Sequence, residues 1–312
     1  MNNMFSRLTC LALFFSVTTL ASGGEPVQLP DTSEKAAVEA LIDRFNSVEK
    51  VSLGKDGELR SIHLLGLPNL EKASFRLVFD PESQRVIEAG GNRAAFRNDE
   101  WAMFAPLEEL QVLNLHHNFG AERENRKETY DAGGLVALQG NEKLESIQLP
   151  GSPFGADGLK AVAGMPQVEH LGIWHVNVSD EDLEVLRGHP NFESIRIAPM
   201  WSDKLTDKTF EHLSYCPNLK KIAYNEGYVT WENGLKHLER VRDSFEELDL
   251  EKSVVAPEDL EKFKKEFPNV VVKHAGMATV GAMIRDNFKG AAKKLPQWVP
   301  QDLIDQYVAA AE

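Results

Sequence analysis

The chain carries a short hydrophobic pattern that recurs along most of its length. Each copy is a hexad with apolar residues at positions 1, 4 and 6, as in Leu144-Glu-Ser-Ile147-Gln-Leu149. The clear copies begin at Leu110, Leu144, Val168, Phe192, Leu219 and Phe245. A weaker copy begins at Leu70 and a truncated one at Val270. From Leu144 onward the start-to-start spacings are 24, 24, 27, 26 and 25 residues, which predicts a stack of repeated units, each contributing one short strand.

A second pattern lies between the hexads, with apolar residues three apart after a Ser, Thr or Asp. Examples are Asp182-Leu183-Glu-Val-Leu186 and Thr209-Phe210-Glu-His-Leu213, and each predicts one or two turns of helix. Five prolines stand two residues before a hexad, namely Pro68, Pro166, Pro190, Pro217 and Pro268. Because proline ends a helix and favours an extended approach, these positions predict the helix-to-strand junctions.

This alternation of strand and helix resembles the leucine-rich-repeat family over about residues 59–274. The phrasing Ser/Thr-Asp-x-x-Leu-x-x-Leu-x-x-x-Pro-Asn-Leu is similar to that of envelope proteins from planctomycete-like bacteria. The cysteine-containing subtype is also similar, since Cys216 stands at that subtype's cysteine position. Other copies have Met165, His189 or Phe267 there, so the thiol is one packing choice among several. The resemblance implies an α/β solenoid, or horseshoe, of about seven or eight units, with a parallel concave sheet and convex helices.

The first residues predict a secretory signal peptide over 1–23. Arg7 precedes the apolar run Leu11–Leu20, and small residues follow at 21–24. The apolar run is too short to cross a bilayer, which takes about 20 residues. We therefore expect a secreted or periplasmic protein without membrane insertion after cleavage, the alternative being an uncleaved N-terminal anchor.

Two caps and one insertion flank or interrupt the predicted solenoid. Residues 24–58 predict a helix and a hairpin that cover the first repeat. Residues 275–312 predict a helical tail, with Trp298 as a packing anchor, that closes the last repeat or tethers a partner. The charged stretch 119–134 is a recognition loop or a tolerated insertion.

The overall charge restricts the choice of partner. The chain has 34 basic and 48 acidic side chains, a net charge of −14, which disfavours nucleic acid and anionic membrane surfaces. Cys10 would leave with the signal peptide, and Cys216 alone cannot form an internal disulfide. The sequence lacks the Gly-x-Ser-x-Gly, phosphate-loop and dinucleotide-binding motifs, so we expect neither an enzyme nor a cofactor.

Outward-facing positions of the hexads predict a binding patch on the concave face. Positions 3 and 5, and the two residues after position 6, point away from the core of a half-buried strand. The middle repeats collect polar and aromatic residues there, whereas the last repeat is acidic through Glu247 and Asp249. The candidate ligand-binding residues are His116, His117, His170, Trp174, His175, Arg196 and Trp201. The alternative is that Trp174 and Trp201 fold over loop edges and pack locally.

The histidines of this patch do not predict a metal site. Their two groups belong to repeats two steps apart, or about 10 Å, and no carboxylate stands between them at outward hexad positions. Tryptophan and arginine are favoured at the centres of interfaces. We therefore expect a non-catalytic module that recognises a protein through its concave face. The alternatives are a carbohydrate-binding surface and a scaffold without a ligand of its own.

Overall fold

A computed structural model describes residues 27–121, 129–199, 204–287 and 299–312. The predicted signal peptide and the two tryptophans Trp201 and Trp298 lie outside these residues. The strands are, in chain order, β1 (Ser47–Leu53), β2 (Leu59–Leu67), β3 (Leu70–Phe79), β4 (Val86–Asn92), β5 (Val112–His116), β6 (Ser146–Gln148), β7 (His170–Trp174), β8 (Ser194–Ala198), β9 (Lys221–Tyr224), β10 (Tyr228–Val229), β11 (Glu247–Asp249), β12 (Val254–Val255) and β13 (Val271–Lys273). One sheet has the order β1-β2-β3-β4-β5-β6-β7-β8-β9-β11-β13, and β10 pairs with β12.

Short helices alternate with the strands of the long sheet. The α-helices are α1 (Lys35–Asp43), α2 (Ala156–Ala163), α3 (Thr209–Leu213), α4 (Pro257–Glu266), α5 (Met277–Asn287) and α6 (Gln301–Ala309). Four 3₁₀ helices are η1 (Asn98–Phe104), η2 (Gly133–Leu138), η3 (Glu181–Leu186) and η4 (Leu235–Val241). From η1 to α4, at least one of these helices follows each strand of the long sheet before its next strand begins. A repeat of about 25 residues leaves room for only one to three helical turns, which explains their shortness.

The hexads form the predicted parallel ladder. Position 4 of successive hexads is paired in register, as in Ile147↔Leu171 and Leu171↔Ile195, and these side chains are fully buried. Each unit shares its apolar face with the next, so one continuous core runs through the stack. Burying such a side chain contributes about 2 kcal/mol. The predicted fold class, an α/β leucine-rich-repeat solenoid with a parallel sheet and helices, is confirmed.

The cysteine position of the repeat is a core position. Cys216, Met165, His189 and Phe267 are all buried, and the Cys216 thiol donates a hydrogen bond to the Leu186 carbonyl at 3.2 Å. His189 reaches the Met165 carbonyl through Nε2 at 3.0 Å. Burial raises the pKa of the Cys216 thiol to about 11, so the thiol stays protonated and unreactive near neutral pH.

The prediction that a first repeat begins at Leu70 is wrong. This hexad lies in β3, which runs antiparallel to both β2 and β4, and parallel pairing starts only between β4 and β5. Phe75 and alternate neighbours in β3 are buried, and the Phe75 ring stacks on Phe45 at 5.4 Å. An antiparallel strand with one buried face has the same alternation as a repeat hexad, so the sequence pattern could not separate the two.

The described parts of the C-terminal tail are helical and cover the two-stranded sheet. Val254 packs with residues of α5 and α6 in a second, smaller core. The Tyr307 hydroxyl donates to the Val255 carbonyl at 2.8 Å and accepts from the Val255 amide at 3.1 Å. Within the described ranges, no helix combines the length and the apolar composition that a bilayer crossing requires.

Candidate binding face

Side chains on the concave side of the sheet form rows that cross the strands, because residues paired in register point to the same face. The central row crosses every strand from β3 onward and is formed by Arg76, Gly90, Asn114, Gln148, Gly172, Arg196, Ala223, Asp249 and Lys273. The strand-start row lies beside it, from β4 onward, and is formed by Glu88, Val112, Ser146, His170, Ser194, Lys221, Glu247 and Val271. Of the candidate residues, Arg196 lies in the central row and His170 lies in the strand-start row.

Three candidate residues from β5, β7 and β8 form one contiguous group, the indole cluster of His116, Trp174 and Arg196. The Arg196 guanidinium carbon lies 4.3 Å from the centroid of the Trp174 ring. The His116 ring meets the same indole at 5.9 Å between centroids and at 87°. Trp174 is half-buried and Arg196 is exposed. The cluster thus presents a stacked cation on a supported aromatic surface, a contact that is worth about 0.5–1 kcal/mol at exposed sites.

Gly172 makes room for this cluster. A Cβ atom at Gly172 would lie 1.7 Å from Gln148 Oε1 and 2.9 Å from Trp174 Cζ3. The Gln148 amide and the indole therefore occupy the space that any other side chain at this position would need. A side chain at Gly172 would have to displace the Gln148 amide and press against the indole, so glycine provides the space in which the cluster packs.

Burial keeps the histidines of this region from acquiring charge. Partial burial lowers the pKa of His116, and the proximity of His117 and Arg196 lowers it further. Partial burial also lowers the pKa of His117, as do Arg93 and His175 nearby. Since both values fall below the ordinary 6.5, both imidazoles are neutral at pH 7.

His117 and His175 each stand directly after a strand, at the rim of the sheet, and His117 also lines the cavity described below. Both follow a strand and adopt the left-handed backbone region, with φ of 48° and 59°, as does Glu226 two repeats beyond His175 with 65°. His117 Nδ1 lies 3.2 Å from Asn92 Oδ1, and His175 Nε2 lies 2.5 Å from Glu226 Oε2. The sequence predicts both histidines as members of the binding patch but gives no sign of this backbone conformation, which is uncommon outside glycine.

His170 is separate from the indole cluster. It lies in the strand-start row, where its Nδ1 is 2.9 Å from Ser194 Oγ. Beside it are Glu169 and Glu193, and ligand atoms of these three residues lie within 4.8 Å of one another, a spacing that a cation could bridge. The outward hexad positions gave no sign of these two carboxylates, because both stand at position 2 of their hexads. Glu193 already pairs with Lys220, at 2.5 Å between Oε1 and Nζ.

A cavity of about 450 Å³ adjoins the indole cluster on the side of the antiparallel strands. Its lining includes His63, Arg76, Glu88 and Asn114, and it shares His116 with the cluster. The repeat pattern does not reveal this cavity, because the cavity depends on how β2, β3 and β4 pair. The cavity and the indole cluster meet at His116.

At the far end of the concave face, an acidic side chain pairs with two basic side chains of neighbouring strands. Glu247 Oε1 lies 2.6 Å from Lys221 Nζ and 2.8 Å from Lys273 Nζ. Partial burial acts to raise the pKa of Glu247, but the hydrogen bonds from the two lysines outweigh it and the pKa is lowered. The acidic character that the sequence predicts for the last repeat is therefore compensated at this position.

No family model matches the chain, and no curated protein matches it. Among solved structures, it is similar to an internalin C2 from Listeria monocytogenes, with 15% identity, a TM-score of 0.35, and coverage of 55% of this chain and 63% of that one. It is also similar to a leucine-rich-repeat protein from Bacteroides eggerthii, with 11% identity, a TM-score of 0.31, and coverage of 79% and 50%. A leucine-rich-repeat protein of Leptospira interrogans shows 12% identity, a TM-score of 0.22, and coverage of 55% and 56%. The chain thus spans less than two thirds of these structures, and likenesses this low carry no functional argument.

Proposed function

We propose that this protein is a non-catalytic binding module that recognises a polypeptide through the concave surface from β2 to β8. The indole cluster carries the proposal, because an exposed arginine stacked on a supported tryptophan is the combination that interface centres favour. The adjoining cavity offers depth for a side chain of the partner. His117 and His175 would contact the partner from the rim, and His170 would do so from the strand-start row.

The carbohydrate alternative is less well supported by the cluster. A sugar ring that stacks on tryptophan needs an open face of the indole, and Arg196 covers one face of Trp174. A polypeptide can use the guanidinium itself, through its hydrogen-bond donors.

We also propose that the protein acts outside the cytoplasm, on the strength of residues 1–23, and that it is related to the envelope repeat proteins it resembles in sequence. The buried position of Cys216, shared with Met165, His189 and Phe267, fits the cysteine-containing subtype. This subtype remains an inference from the sequence pattern.

The proposal is tested by affinity capture from an envelope extract of the source organism. The tagged full chain is compared with a Trp174→Ala, Arg196→Glu variant and with a Lys273→Gln control, after all three show the same melting temperature. A polypeptide that is retained by the parent and the control but lost from the double variant supports the proposal. Equal recovery of every polypeptide by the double variant would contradict it, and a glycan retained in the same selective way would favour the carbohydrate alternative.

A further inference from the structure

Among the residues that the structure describes, three arginines on the concave side and its rim have no carboxylate partner. Most arginines that the structure describes lie close to one, as with Arg44 and Glu100 at 2.9 Å. Arg76, Arg93 and Arg196 are exposed, and none has a carboxylate oxygen within 4.0 Å in the described part of the chain. Because the chain has a net charge of −14, these uncompensated cations do not follow from an excess of basic residues.

Two of these arginines are fixed at a defined separation. Arg76 and Arg196 lie on the central row, five strand steps apart, which corresponds to about 24 Å at ~4.8 Å per step. The residues between them are two glycines and two amides, namely Gly90, Asn114, Gln148 and Gly172. This floor has no charge and no bulky side chain, and its amides can hydrogen-bond to a peptide backbone.

The other charged groups around the row restrict where an anion could lie. Glu49 and Glu88 line the cavity beside Arg76, and Glu169 and Glu193 stand at the strand starts beside His170. These carboxylates repel acidic groups from the interior of the cavity and from the strand starts, so an acidic group reaches Arg76 along the central row. The indole cluster and the uncharged floor remain open to them, between the two arginines.

The imidazoles of His63, His116 and His117 add little positive charge at pH 7. Burial lowers the pKa of His63 first, and Arg76 lowers it further. The same combination of burial and a nearby arginine acts on His116 and His117. The attraction for an anion at neutral pH therefore comes from the arginines, whose guanidinium groups bind carboxylates through two parallel hydrogen bonds.

We propose that the concave face binds an extended acidic segment of its polypeptide partner, with one carboxylate held by Arg76 and a second by Arg196. This proposal rests on the proposed function and specifies the chemistry of the partner. At 3.3–3.4 Å per residue, an extended chain covers the separation in about seven residues, so the two acidic side chains stand roughly six to eight positions apart. The backbone between them lies over Asn114 and Gln148, and the carboxylate at Arg196 sits beside Trp174.

The experiment is selection of a displayed library of random 12-residue peptides on the full-length protein at pH 7.5. The same selection is run on an Arg76→Gln, Arg196→Gln variant and on a Lys221→Gln, Lys273→Gln control that alters the far end of the same face. We expect peptides enriched on the parent and the control to carry Asp or Glu at two positions six to eight apart. Selected peptides should bind the arginine variant about tenfold more weakly or worse, as the loss of hydrogen bonds to charged groups implies.

Each other outcome is decisive. Enriched peptides without acidic pairs, or with acidic pairs retained by the arginine variant, would overturn the inference and leave the proposed function standing. The absence of any enriched peptide, together with no capture of a polypeptide from the envelope extract, would remove the proposed function as well. Binding of polygalacturonate to the parent but not to the arginine variant, without peptide enrichment, would show that the arginines serve an anionic glycan instead.

Discussion

The two halves of the concave face differ in whether their charged side chains have partners of opposite charge. In the half formed by β9, β11 and β13, Lys221 and Lys273 both pair with Glu247. In the half formed by β3 to β8, Arg76 and Arg196 have no carboxylate partner within the described ranges. Both halves belong to one sheet, which is parallel from β4 onward, and their outward side chains account for the difference in charge pairing. This difference indicates that the charged side chains of the half formed by β9, β11 and β13, the closed half, satisfy one another. The half formed by β3 to β8, the open half, is available to a partner.

The contrast also extends to the shape of the surface. The open half borders a cavity of about 450 Å³ and contains the indole cluster, held over Gly172. The closed half presents a ladder of two lysines around one glutamate. A partner that approached this ladder would have to displace an existing ion pair, whereas the arginines of the open half are free to bind.

The largest effect is expected from Gly172→Leu, which fills the centre of the open half. The new side chain would collide with Gln148 and with the Trp174 ring, and would displace both. We expect binding of the captured polypeptide to fall about a hundredfold, in line with the loss of a central hot spot. Calorimetry or biolayer interferometry measures the affinity, and Ala223→Leu in the same row on β9 serves as the control. Unchanged affinity in Gly172→Leu would show that the indole cluster is not at the interface.

A smaller effect is expected from Arg196→Gln, which removes the charge but keeps much of the stem over Trp174. We expect affinity to fall about tenfold, because hydrogen bonds to charged groups contribute about 1.5–3 kcal/mol. Lys273→Gln, in the same row at the far end, should leave affinity unchanged. An equal loss in both variants would mean that the two halves do not differ in function.

A few-fold effect is expected from pH. The pKa values of His116 and His117 are lowered from 6.5, so these groups gain a proton only as the pH falls below that value. The added positive charge should strengthen binding of an acidic peptide between pH 7.5 and 5.5, and His116→Gln should reduce this gain. Because the folded-state pKa is the lower one, the histidines' contribution to stability is present above pH 6.5 and is lost as the pH falls through the folded value. Paired titrations of affinity and of unfolding in denaturant would separate the two effects.

The smallest effect is expected from Glu247→Gln in the closed half. The free energy of unfolding should fall by about 0.5 kcal/mol, as is usual for partly exposed ion pairs, and affinity should not change. Since the pKa of Glu247 is lowered, this contribution is present above its ordinary value of 4.5 and is lost as the pH falls through the folded value. Urea denaturation at pH 7 and pH 3 checks both statements, and a change in affinity would show that the closed half contributes to binding.

The fold of the parallel stack was predictable because burial imposes a pattern on the sequence. Position 4 of each hexad must be apolar to join a ladder such as Ile147↔Leu171, and the helix must end near the preceding proline. The same reasoning was wrong at Leu70, since an antiparallel strand with one buried face imposes the same alternation. The antiparallel pairing of β2, β3 and β4 depends on contacts that the local pattern does not record.

The candidate site was predictable in part, since Arg76 and His63 of the cavity are not among the predicted residues and the partners of the predicted ones were not foreseen. Outward hexad positions correctly brought His116, Trp174 and Arg196 onto one surface. Which charges find a partner depends on side-chain positions across neighbouring repeats, so the pairing of Glu247 and the isolation of Arg196 could not be predicted. Trp201 belongs to the predicted patch but lies outside the described residues.

The most direct test of the difference between the halves is a single affinity comparison with the captured polypeptide. One variant carries Arg76→Gln and Arg196→Gln in the open half, and the other carries Lys221→Gln and Lys273→Gln in the closed half, so both lose the same charge from the same face. We expect the arginine variant to lose most of its affinity and the lysine variant to bind like the parent. Equal affinity in the two variants, or a greater loss in the second, would contradict it.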